Sequence, residues 1–130
     1  MISKLIVDSD FLYGLFVIDD PHHHKVIEFL PILNGVEIII TSLVKYELIT
    51  LLSRRKNQEF ALNALHQINT IGATIYYIEQ KDDTAIIKEF MSHQTKKISV
   101  VDCANLILAK KLNTKIASFD RFYPDEVIIF

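Results

Sequence analysis

The sequence predicts an α/β domain, a three-layer α/β/α sandwich whose helices cover both faces of a four- or five-stranded, mainly parallel central sheet. Short β-branched runs alternate with longer segments of helical periodicity. Parallel neighbours need crossovers of about a dozen residues or more, and those segments supply them. With three glycines, three prolines and no repeat or low-complexity tract, residues 1–130 read as a single domain.

The elements follow in order. LIV at 5–7 is the first buried strand. Asp20 as N-cap and Pro21 at the first helical position open PHHHKVIEFLPIL, a helix bent at Pro31 and ended at Asn34-Gly35. EIIIT at 37–41 is the second strand. Two helices succeed it, LVKYELITLLSRRK and NQEFALNALHQINTIG, the latter stopped at Gly72. TIYYI at 74–78 is the third strand, and QKDDTAIIKEFMSHQ and SVVDCANLILAKKLN are the helices behind it. KIASF at 115–119 gives a fourth strand and VIIF at 127–130 a fifth.

Charge narrows the function classes. Fourteen basic side chains face sixteen acidic ones, a net charge of -2, which argues against nucleic-acid binding by bulk positive charge but leaves local basic patches open. Charges interrupt every apolar stretch before the roughly 18 residues of a membrane span. Asp8 and Asp10 break the apolar start before a signal-peptide core develops. The lone Cys103 cannot form an internal disulfide, which fits a reducing compartment. A cytoplasmic protein is expected.

Ligands of open parallel sheets bind beyond the carboxyl ends of the strands. Asp8 follows LIV there, and Asp120 follows KIASF. Either alone reads equally as a turn former or the cap of the next helix. Glu47 lies on one helical line with Leu43 and Leu51, at the edge of an apolar surface where an acid needs a partner or a route to solvent. Asp102 stands three residues after Ser99, the spacing of a capping box, and on the same face as Leu106 and Ala109. If the four converge, two unit charges about 4 Å apart repel by roughly 4 kcal/mol at an effective dielectric near 20, so the group protonates or binds a cation. Oxygen-only donors favour Mg²⁺ or Mn²⁺.

The order Asp8 in IVDSDFL, Glu47 in VKYELITLL, Asp102 in ISVVDCANLILA and Asp120 in IASFDRF resembles the PIN-domain nucleases, and among them the short VapC-type toxins of toxin-antitoxin pairs. The resemblance runs from the first strand to residue 122. It implies a PIN-like sandwich and a metal-dependent endoribonuclease in which Asp8, Glu47, Asp102 and Asp120 form the acidic metal site, Asp8 and Asp102 nearest a Mg²⁺ or Mn²⁺ ion. It further implies support from Ser9, Ser99 and Ser118, an RNA substrate, a cognate antitoxin and a homodimer. His24 matches a frequent histidine of the family. Two departures stand out: Asp10 replaces the commoner Asn or Ser and is a further supporting acid, and Arg121-Phe122-Tyr123 lacks the acid often found after the fourth motif.

Other features carry less. Adjacent helical residues fan out by about 100°, so His22, His23 and His24 cannot converge on one ion from a regular helix and are expected at the surface. Cys103 reads as a small buried residue. Tyr76 and Tyr77 lie in a strand-like run and are expected to pack, although they could stack on bases. Lys45, two residues from Glu47, is the candidate substrate contact among scattered basic residues. The leucine and isoleucine of residues 43–71 are the basis in composition for a dimer or partner surface. Two competing readings remain at this stage. Asp8-Ser9-Asp10 also opens haloacid-dehalogenase-like phosphatases, with Asp8 as nucleophile and Asp10 as acid/base, but no later lysine and paired-acid motif follows. A non-catalytic PIN-like RNA- or protein-binding module would keep the fold without turnover.

Overall fold

The computed structural model describes residues 2–94 and 97–130. Its elements run β1 (Lys4–Val7), α1 (Ser9–Phe16), α2 (His23–Phe29), β2 (Glu37–Thr41), α3 (Ser42–Arg55), α4 (Gln58–Thr70), β3 (Thr74–Tyr76), α5 (Gln80–Met91), α6 (Val100–Leu112) and β4 (Lys115–Ala117). All strand pairs are parallel, in the order β3-β2-β1-β4, with Ile6 opposite both Ile39 and Ile116. The first strand therefore lies inside the sheet, and its carboxyl end opens beside those of β2 and β4.

Alternation along the strands sorts the core into two layers. Leu5, Val7, Ile40 and Ala117 face α1 to α4, where Phe11, Val26, Val44, Leu48, Leu52 and Ile68 complete the larger core. Ile6, Ile39 and Ile116 face the other way, against Leu106, Leu108 and Ala109 of α6. Ile86 of α5 joins Cys103 and Ala104 in a third cluster on that side. The expected three-layer sandwich is thus observed.

Four local expectations change. Helix α1 follows β1 with no intervening loop, because Asp8, extended at φ -84° and ψ 164°, caps it directly through Ser9 N. Helix α2 starts at His23 rather than Pro21, since the Asp20 carboxylate accepts from His22 N and makes a turn first. At Pro31 the chain tightens into a 3₁₀ turn, Leu30–Leu33, before Gly35 at φ 80° reverses it. The fifth strand is reduced to one parallel bridge between Ile116 and Ile128. Phe130 leaves the sheet plane there to stack on Phe119 and Phe11 and meet Phe29 edge-on, so burial of the ring replaces further strand pairing.

Candidate active site

The carboxyl ends of β1 and β4 and the amino end of α6 bring the acids together. Asp8 is 3% exposed, and its two oxygens take four contacts. Ser9 N and Asn105 Nδ2 donate to Oδ1 at 2.8 and 3.2 Å. Ser118 Oγ and Tyr123 Oη lie 2.9 and 3.0 Å from Oδ2. Asp102 is fixed by the expected capping box: Ser99 Oγ accepts from Asp102 N at 3.1 Å, and Asp102 Oδ2 accepts from Ser99 N at 3.2 Å. Its other oxygen lies 3.3 Å from the same Tyr123 hydroxyl that touches Asp8.

Asp10, in the first turn of α1, reaches across to β4. Its Oδ2 accepts from Phe119 N at 2.9 Å and lies 3.2 Å from Ser118 Oγ, while Oδ1 is buried without a partner among the described residues. Asp120 is half-buried, with Oδ1 accepting from Phe122 N at 3.0 Å, so it does form the turn expected of an Asp after a strand. Its charge nevertheless reaches both Asp10 and Asp102. Glu47 joins through Ser9, whose hydroxyl donates to Glu47 Oε1.

Burial sets the electrostatics, and proton counting limits how the hydroxyls can answer it. Ser118 and Tyr123 each carry one hydroxyl proton, yet each touches two carboxyl groups, so neither can donate to both at once. A proton on a carboxyl group closes the remaining contact. Burial first, then the charge of Asp10, pushes Asp8 up to about 7. Burial raises Asp10 to about 6 with Asp120 adding, and burial followed by Asp8 raises Asp102 to about 6. Burial and the Asp8 and Asp102 charges drive Tyr123 far upward, so it remains a phenol.

Among the described residues, no three His, Cys, Asp or Glu side chains stand arranged to hold a metal ion as they are. The chemistry of the donors still suits a hard cation. They are all oxygen, burial holds the Asp8, Asp10 and Asp102 carboxyls above the usual carboxylate range so that a cation would relieve their crowded charge, and among the described residues the Asp10 Oδ1 atom has no partner. Tyr123 occupies the gap between Asp8 and Asp102 instead.

A family model of the PIN domain matches residues 5–124. The chain belongs to the PIN-domain family. Among solved structures, this PIN domain is similar to VapC20 of Mycobacterium tuberculosis, described as a sarcin-ricin loop cleaving toxin, with TM-score 0.81, 18% identity and 89% of each chain covered. It is also similar to VapBC2 of Rickettsia felis, solved on a DNA fragment from its promoter, with TM-score 0.67 and 14% identity over 90% of this chain and 88% of that one. No curated protein matches the chain. The phosphatase reading does not survive the family match.

Two residues of the acid cluster carry no motif in the sequence. Asn105 is fully buried and bridges Asp8 Oδ1 and Tyr123 Oη. A polar residue one helical turn after Asp102, inside an apolar face, was its signal. Tyr123 carried no periodic signal. Lys45 does not enter the acid cluster: its Nζ lies 3.4 Å from Tyr77 Oη. The histidines diverge, His22 stacking on Phe119, His23 contacting the Gly14 carbonyl and His24 standing exposed near Glu28. Cys103 is buried, and burial raises its thiol to about 11, which leaves it inert.

Proposed function

We propose that this PIN-domain protein is a metal-dependent endoribonuclease of the VapC toxin type, acting in the cytoplasm on RNA phosphodiester bonds. The observation that carries the reading is the sharing of Ser118 and Tyr123 hydroxyls by Asp8, Asp10 and Asp102, three acids crowded together at the carboxyl edge of the sheet. In this reading Asp8 and Asp102, with Asp120 and Asp10 beside them, hold Mg²⁺ or Mn²⁺. When bound, such an ion supplies charge against phosphate oxygens and lowers the pKa of water.

The chain's own residues supply the rest. Ser99 and Ser118 orient the carboxylates by hydrogen bonds. Glu47, held by Ser9 at Oε1, keeps Oε2 to accept a proton from the attacking water. Similarity to VapBC2 supports an antitoxin as the partner that covers the site, and the assembly proposed for the toxin is a homodimer. The expected result is that Asp8→Asn or Asp102→Asn abolishes Mg²⁺- or Mn²⁺-dependent RNA cleavage and relieves growth arrest on expression. Undiminished cleavage by both variants defeats the proposal.

A further inference from the structure

At the rim of the same edge, Lys45, Tyr46 and Tyr77 form a group that the acid site does not use. The Lys45 ammonium lies 5.9 Å from the Tyr46 ring centroid and 5.7 Å from that of Tyr77. Both rings are 54% exposed. Among the described residues, no carboxylate pairs with Lys45. Strand β3 stops at Tyr76, so Tyr77 leaves the sheet where packing was expected, and the next residue is tied to α3 by Ile78 N donating to Ser42 Oγ at 3.1 Å. The rings are therefore presented by a fixed backbone.

Position gives the group its meaning. Extending the register that pairs Ile6 with Ile39 and Thr41 with Tyr76 sets Tyr76 level with Asp8, two strand spacings away, about 10 Å. Tyr46 directly precedes Glu47 on α3. Exposed rings with a cation beside them bind unpaired bases by stacking and the adjoining phosphate by charge, and they are sequence-tolerant because every base offers a π-face. Tyrosine serves protein and nucleic-acid contacts alike, but lysine is depleted from protein–protein interfaces, so it is Lys45 at the centre of the group that favours a phosphate-bearing strand.

We infer that Lys45, Tyr46 and Tyr77 are a stacking platform for unpaired bases of single-stranded RNA, which they lead toward the carboxylates. The inference rests on the ribonuclease reading and names the form of its substrate. The test measures binding of a short fluorescein-labelled unstructured oligoribonucleotide by anisotropy, in the Asp102→Asn background so that no turnover intervenes. Tyr46→Ala and Tyr77→Ala each weaken binding roughly five- to a hundredfold, while the corresponding Phe variants retain it. Lys45→Ala lowers the slope of log affinity against log salt by about 0.7. Unchanged affinity in the Ala variants overturns the platform, and so does equal loss in Ala and Phe variants with unaltered melting. Weakened antitoxin binding with RNA affinity intact assigns the patch to protein contact and also overturns it. Cleavage that survives Asp8→Asn sinks the metal-site reading instead, and leaves the binding assay standing.

Discussion

Tyr123 carries one proton and touches two carboxyl groups, so its value depends on which of them is protonated. With burial holding Asp8 and Asp102 above the usual carboxylate range, the phenol closes a network that would otherwise be a pair of repelling charges. Tyr123→Phe removes that closure and takes from Asn105 Nδ2 one of its two acceptors among the described residues, leaving Asp8. The expected cost is about 1–2 kcal/mol, read as a lower denaturation midpoint in the presence of a chelator. An unchanged midpoint would show that the hydroxyl contributes nothing net.

At the scale of elements, helix α6 is the part that places Asp102. Its capping box fixes Asp102 as the third helical residue, so helix initiation and carboxylate placement are one event. Ser99→Ala is expected to destabilise the fold by about 1 kcal/mol and to reduce metal-dependent cleavage more than that loss explains, with Ser99→Thr restoring both. Helix α5 offers the contrast. Its own box pairs Glu79 with Asp82, where the Glu79 backbone N–H, the Tyr76 hydroxyl and Lys111 hold Asp82 below the usual carboxylate range. Asp82→Ala is expected to lower the melting temperature and leave kcat unchanged at a temperature where the variant is folded. Loss of kcat there would tie α5 to the site.

For the whole molecule, the protonated acids couple stability to pH. Asp8 at about 7 and Asp10 and Asp102 at about 6 bind protons in the native state that the unfolded chain has released from about pH 4 upward. The native state therefore binds more protons between about pH 4 and 7, the slope of unfolding free energy against pH is negative, and stability is lost as pH rises through that window. Asp82 and Glu89, held low, contribute stability that is lost only as pH falls below about 5. In a chelator, the melting temperature is expected to be higher at pH 5 than at pH 8, by an amount worth a few kcal/mol. Mg²⁺ or Mn²⁺ should raise the pH 8 value more than the pH 5 value, because cation and protons compete for the same oxygens. Asp8→Asn should shrink the gap. Equal melting temperatures at both pH values, with and without metal, would contradict the coupling.

Among the described residues, four strands and five of six α-helices were legible in the amino-acid order, as was the placing of Asp8, Asp102 and Asp120 at or near element ends and of Glu47 on a helix, because buried strands and amphipathic helices have different periods and a capping box has a fixed spacing. Helix α1 was not, since its eight residues follow β1 directly and Asp8 serves at once as strand end and cap. Nor were Asn105, Tyr123 and the shared hydroxyls, or the turning of Lys45 toward Tyr77. Sequence by itself determined which residues carry charge and which elements hold them. Only tertiary structure decided that residues some hundred positions apart share single protons, because that depends on strand order and on burial, neither of which is a local property of the chain.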